Sequence, residues 1–278
     1  MTWLLGSIAC YSLIFILFRI AGQRGLAMAP VLFVNYVVSF AFSLLITKDW
    51  PQAEWWMLSS ALLGFLFMVV FQVIAHSTNT AGVGSTATAS KLSMVWPILA
   101  FSFLFGEWPK PLQWVGIGLV LASVLLPFFS TRQTSKSWIL PLTVFLSTGL
   151  VDTLIALHGR PQWVLPEHKE ALFTFIFGFA AATALFQSRK EIKELNKPSI
   201  WGLGLVLGLI NYGSLFFLLS TLQSKFLSGS TFFPVNNMGV IALTSLAGVM
   251  LFHERPKPSE WMALILGLLG LFCILWFS

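Results

Sequence analysis

The chain has 278 residues, of which 57% are hydrophobic and 9% are Asp, Glu, Lys or Arg. A soluble domain carries roughly a quarter charged residues, so this composition excludes a water-solvated globule and points to lipid. The net charge of +6 sits in short loops between apolar runs, where it reads as topology signal and headgroup contact rather than as a nucleic-acid surface.

Ten runs are long and apolar enough to be spanning helices: 3–20, 30–47, 55–75, 83–105, 112–129, 138–157, 170–187, 199–220, 229–252 and 259–277. The first run lacks a basic leader and a small-residue cleavage site, and reads as a retained helix rather than a signal peptide. Open sheets would leave backbone groups unpaired in lipid, so the runs are read as α-helices. The connections at 158–169 and 188–198 are the longest, and neither holds a further domain. Cys10 and Cys273 both fall inside apolar runs and have no metal-ligand spacing.

Leu104-Phe105-Gly106-Glu107-Trp108-Pro109-Lys110-Pro111 closes the fourth run, and Leu251-Phe252-His253-Glu254-Arg255-Pro256-Lys257-Pro258 closes the ninth. The two match at a constant offset that also relates Trp114 to Trp261 and Gly82 to Gly229. The fourth run therefore maps onto the ninth and the fifth onto the tenth. Each half, 1–131 and 132–278, holds five runs within one structural unit. Five is odd, so the second copy enters the membrane in the opposite sense. The expected fold is all-α: ten transmembrane helices as two inverted five-helix repeats.

With the Ser90-Lys91-Leu92-Ser93-Met94-Val95-Trp96-Pro97 stretch and the Gly-rich fifth and tenth runs (Gly116 and Gly118, Gly267 and Gly270), these features resemble the EamA-type members of the drug/metabolite transporter superfamily. The resemblance covers essentially the whole chain. It implies a carrier of small amphipathic solutes such as amino acids, sugars and metabolites. The chain departs from the family pattern at Asn35, often Arg there, and at Thr244, which stands where a second Pro equivalent to Pro97 is usual.

Lysine and arginine are biased to one side. Loops after odd-numbered runs hold Arg19, Arg24, Arg132, Lys136, Arg189, Lys190, Lys193, Lys197, Arg255 and Lys257, and the other side holds Lys48, Lys110, Arg160, Lys169 and Lys225. The positive-inside rule then puts both termini outside the cytoplasm, in a multi-pass protein of the cell (inner) membrane.

Lys91 lies deep in the fourth run, amid Ser85, Thr86, Thr88, Ser90 and Ser93. A charge there costs about 2.5–3.5 kcal/mol on insertion, so it faces the bundle interior. It reads as a solute-binding cation or as a lysine paired to a carboxylate to hold helices. Asp152 is the clear intramembrane carboxylate. It is the ion-coupling candidate, with a proton as the possible ion, because loss of water disfavours a carboxylate's charged form. The alternative is an interfacial Asp satisfied by solvent. Asn236 and Asn237 follow Pro234 in the ninth run, at the positions of Ala89 and Ser90, and read as solute-facing amides or as interhelical glue. Ser90, Asn211, Tyr212, Gln72 and Tyr11 complete the candidate substrate contacts, the last four reading equally as interhelical hydrogen-bonding residues. Gly202, Gly204 and Gly208 suit close helix packing, and Glu107 and Glu254 read as caps of the turn that follows or partners of nearby Lys or Arg. The four histidines stand at run ends or in loops; His158 and His168 on one face would suit a metal, but the pattern is that of solvent-facing residues.

The expected function is a secondary transporter of small polar or amphipathic metabolites, working by alternating access with no cofactor and no metal. Its partners are a small-molecule substrate and the lipid bilayer, and no nucleic acid. No zinc-protease, hydrolase-elbow or Walker motif occurs, so an enzyme is not expected. The competing readings are an intramembrane enzyme and a non-transporting scaffold or receptor.

Overall fold

The computed structural model of the chain describes residues 2–52, 54–106, 108–130, 139–158, 163–223 and 229–276. Glu107, Arg132, Lys136, Arg160 and Lys225 lie outside them. The described residues form eleven α-helices: α1 Thr2–Gln23, α2 Met28–Ile46, α3 Trp55–Ala81, α4 Val83–Leu92, α5 Val95–Phe105, α6 Pro111–Ser130, α7 Ile139–His158, α8 Lys169–Ser188, α9 Pro198–Gln223, α10 Gly229–Phe252 and α11 Pro258–Trp276. Two short 3-10 segments, Pro166–His168 and Arg189–Asn196, lie on either side of α8. With α4 and α5 taken together, eight of these segments are long and apolar enough to cross a membrane, and shorter apolar helices cover Pro111–Ser123 and Trp261–Ile274. The protein is an all-helical, multi-pass membrane protein. Its outer face is apolar: Leu45 is 83% and Leu58 79% exposed, surfaces that lipid covers.

The fourth run, expected as one helix over 83–105, is instead two helices that meet at Ser93 and Met94. Pro97 is the cause. It has no N–H to offer the carbonyl of Ser93 four residues back, and its ring crowds that carbonyl. The Trp96 N–H takes the Ser93 carbonyl instead, at 2.9 Å, in a tighter turn. The carbonyls at the end of α4 then need other donors. The hydroxyl of Ser93 reaches the carbonyl of Ser90 (2.5 Å) and the amide Nδ2 of Asn237 reaches that of Lys91 (3.0 Å).

Close approaches set the packing. A methyl group at Gly208 of α9 would lie 2.6 Å from the carbonyl oxygen of Asn35 on α2. One at Gly64 of α3 would lie 2.5 Å from that of Ile176 on α8. In each case the third helix of one half meets the second helix of the other. Gly204 also packs onto α2, against Val34, whereas Gly202 meets no neighbour within 4 Å. Along α6 and α11, Gly116 and Gly270 each approach the other's carbonyl oxygen, and a methyl on either would stand 2.7 Å from it. Between these seams the core is filled by Phe18, Leu32, Leu63, Met68, Phe177 and Leu207.

Glu254 has an arginine neighbour, Arg19, one of the two roles expected of it, and caps a distant helix rather than the turn that follows. Its Oε1 accepts a hydrogen bond from the Val83 N–H (2.8 Å), so it caps the N-terminus of α4, in the other half of the chain. A carboxylate suits that end of a helix, where free N–H groups and the helix dipole are positive. Gly82, with φ of +95°, gives the left-handed turn between α3 and α4, and a side chain there would press on the Glu254 carboxylate. Arg19 stands beside it, its Nε 4.0 Å from Glu254 Oε1 and its Nη1 donating to the carbonyls of Thr78 (3.3 Å) and Asn79 (2.8 Å). His158 also departs from expectation. It is buried at the end of α7, its Nδ1 donating to the Leu154 carbonyl (2.7 Å) and its Nε2 lying 2.7 Å from Ser59 Oγ. The helix end is covered by Trp163, whose ring meets the imidazole at 5.9 Å.

Candidate functional site

The break between α4 and α5 brings polar groups of both halves together. Ser93 Oγ lies 2.9 Å from Asp152 Oδ2 on α7, and Asn237 of α10 holds the Lys91 carbonyl. The Lys91 ammonium lies over the ring of Tyr11 on α1, 3.5 Å from its centroid, a cation–π contact. Ser214 of α9 stands beside Tyr11 and donates to the Asn211 carbonyl (2.7 Å). Four spanning segments thus converge through these contacts, with Asn237 adding a fifth.

Lys91 and Asp152 are near enough to feel one another's charge. They form no ion pair within 4.0 Å among the described residues. The Asp is held by Ser93 and the ammonium by Tyr11, which separates the two charges expected as a possible pair.

A second set of polar groups is buried without a hydrogen-bond partner among the described residues: both amide atoms of Asn35, Nδ2 of Asn211, Oδ1 of Asn236 and the hydroxyls of Tyr36 and Tyr212. Buried polar groups in folded proteins are ordinarily paired, so each of these has capacity to spare. Asn236 makes a long contact of 3.5 Å with Asn237. Tyr36 and Tyr212 both lean on Phe177, at 6.4 and 6.3 Å. Ser90 is buried in the last turn of α4, and its carbonyl is engaged by Ser93. Gln72 is half-buried on α3 and joins none of these contacts.

A cavity of about 300 Å³ opens at the N-terminal end of α4, lined by Arg19, Asn79, Ser85, Thr88, Glu254 and Trp261 among others. It reaches Ala89 and Leu92, which flank the Ser90–Lys91 turn. Its mouth lies where α3 meets α4 and α10 meets α11, the side expected to be cytoplasmic. From the sequence alone Ser93 is a polar neighbour of Lys91 and Arg19 a topology determinant. The signal for Ser93 was its place four residues before Pro97, where a proline frees a carbonyl and a hydroxyl can serve the strained turn.

Residues 1–129 match the model of the EamA-like transporter family. An uncharacterised protein of Haemophilus influenzae is 26% identical over 287 residues, covering 98% of this chain and 96% of its own. A solved crystal structure superposes with a TM-score of 0.60 at 15% identity, covering 98% of this chain and 95% of that one. At that identity the likeness speaks to the fold alone.

Proposed function

We propose, taking residues 1–129 as a repeat of the EamA-like transporter family and the chain as a membrane transporter, that the protein is a secondary carrier of small polar or amphipathic metabolites of the amino acid or sugar class. It works by alternating access between two inverted five-helix halves, 1–131 and 132–278, with α4 and α5 together forming one interrupted crossing. The exchanged packing supports this: α3 meets α8 at Gly64 as α9 meets α2 at Gly208. The reading is not that of an enzyme.

The observation that carries the solute site is an ammonium and a carboxylate held inside the bundle, on different halves, beside a helix break and without a direct ion pair. Neither charge is neutralised by contact with the other, so a polar solute or a proton has something to bind. Lys91 supplies the cation. Asn236, Asn237, Asn211, Tyr212, Tyr11, Gln72 and the Ser90 turn supply hydrogen bonds and aromatic walls. Asp152 is the proton-coupling group. Broken helices at membrane depth are tolerated where they line a cavity, which fits a solute path at Ser93. The inner membrane and termini outside the cytoplasm follow from the lysine and arginine bias.

The test is flux in proteoliposomes with a metabolite panel, run beside the melting temperature of Lys91→Ala. A solute-binding lysine costs flux and the solute-induced thermal shift at nearly unchanged stability. Flux at the wild-type rate in Lys91→Ala rejects its role in the site.

A further inference from the structure

We propose that Ser93 is a positioning residue that couples the protonation of Asp152 to the break between α4 and α5. The inference rests on the carrier reading with a proton as coupling ion, and concerns how a proton on α7 moves a helix of the other half.

A serine hydroxyl has one proton to donate. Ser93 Oγ stands 2.9 Å from Asp152 Oδ2 and 2.5 Å from the Ser90 carbonyl oxygen. When Asp152 is ionised, both neighbours are acceptors and the single proton serves one of them. The carboxylate is the stronger acceptor and draws it. The Ser90 carbonyl is then left in the last turn of α4, beyond the helix's own ladder, with its side-chain donor gone. When Asp152 carries a proton, Oδ2–H donates to Ser93 Oγ, and the Ser93 proton turns to the Ser90 carbonyl. Both short contacts are then hydrogen bonds at once. The step adds one proton, from water, to the carboxylate. Ser93 keeps its own proton throughout, and no bond between heavy atoms changes.

The two protonation states therefore favour two arrangements of the turn. In one, the Ser90 carbonyl is satisfied across the break described above. In the other, α4 and α5 gain by re-forming their turn so that a main-chain N–H reaches Ser90. Because Asp152 belongs to the second half and Ser93 to the first, the proton acts on the interface between halves.

The charged and titratable surroundings are few. Lys91 faces Asp152 from α4 and Tyr11 from α1. Of the helices that pack on α7, α5 and α6 contain no ionisable side chain, α3 contributes only His76 near its far end, and α7 itself adds His158. Loading Lys91 with a solute anion would weaken its hold on the Asp152 charge and favour the proton, so solute and proton bias one element.

The experiment uses the full chain in liposomes, with Cys10 and Cys273 replaced by serine and spin labels at Leu104→Cys on α5 and Leu246→Cys on α10. Both sites face outward. Infrared difference spectra between high and low pH report the carboxylic C=O band, assigned by its loss in Asp152→Asn. The expected result is a label distance that shifts with pH in the wild-type background. The shift is lost in Ser93→Ala while the Asp152 band remains, and returns in Ser93→Thr, which restores a hydroxyl. Ser93→Cys, close in size and a poor donor, replaces alanine if Ser93→Ala lowers the melting temperature, and gives a reduced shift. A pH-dependent distance that persists unchanged in Ser93→Ala overturns the coupling. An Asp152 band that titrates without any distance change in the wild type also overturns it. If no Asp152 band appears at any pH, proton coupling falls with it, while solute flux in liposomes leaves the carrier reading standing.

Discussion

Between Val83 and Phe105 the chain stops being helical for two residues, and between Gly229 and Phe252, its counterpart by sequence, it runs on unbroken. The difference traces to one imino acid. Where the first half has Pro97, the second has Thr244, whose hydroxyl donates back to the carbonyl of Val240 (2.6 Å). Val240 is the counterpart of Ser93, the residue whose carbonyl loses its helical donor to Pro97 and turns to the Trp96 N–H. The broken helix carries Lys91 and Ser93, and the intact one carries Met238 and Val240 at those places. At Ser90 the exchange runs the other way, for the intact helix has Asn237, and that side chain fills a carbonyl the break exposes. The two helices divide the chemistry: α4 offers main-chain acceptors and a cation, and α10 supplies a donor.

The strongest way to break this comparison is to exchange the two residues. Thr244→Pro removes a helical N–H and crowds the Val240 carbonyl, and costs about 3 kcal/mol or more, read as lowered stability in detergent. If α10 accepts proline at no cost, position 97 is not what separates the two helices. The reverse change, Pro97→Thr, returns a donor to the Ser93 carbonyl. We expect flux to fall while the melting temperature holds or rises.

A smaller effect is expected at the contact between the two helices. Asn237→Leu leaves the Lys91 carbonyl without its side-chain donor and costs about 2 kcal/mol. Met238→Leu, one residue on, stays within about 1 kcal/mol because it conserves volume. Equal losses in the two would show that Asn237 acts by packing alone. Smallest is the cap: Glu254→Ala uncaps α4 and costs about 1 kcal/mol. Glu254→Gln, which retains an acceptor oxygen, costs less. Urea or thermal unfolding of the pair orders them.

Much of the architecture was legible as hydropathy. Each run except the fourth matches one helix, the fourth matches two, and α3 reaches Ala81, beyond its expected end at 75. Of the ten expected spans, eight are long and apolar enough to cross a membrane. The break at Ser93 was not read, although Pro97 lay in view. A proline inside an apolar run can kink, break or be absorbed, and which occurs depends on the groups that take the freed carbonyls. Those groups, Asn237 and Trp96, are known only once the helices are packed. The candidate site was legible as residue types and not as partners. Depth along a helix follows from counting, but which way a side chain turns about the axis does not. Lys91 and Asp152 could thus be named as a possible pair, while Tyr11 and Ser93 as their holders could not. His158 shows the same limit: Ser59, which meets its ring, comes from a helix nearly a hundred positions earlier.

Glu254 and the start of α4 carry a consequence for how the molecule is made. Val83 receives its cap from a residue 171 positions later, in the turn before the last helix. Synthesis runs from the N-terminus, so the first five segments emerge with that helix end bare. The start of α4 gains its cap only once the closing hairpin has been inserted. A fragment ending near residue 130 lacks the carboxylate that accepts the Val83 N–H, and its fourth segment starts with that group bare.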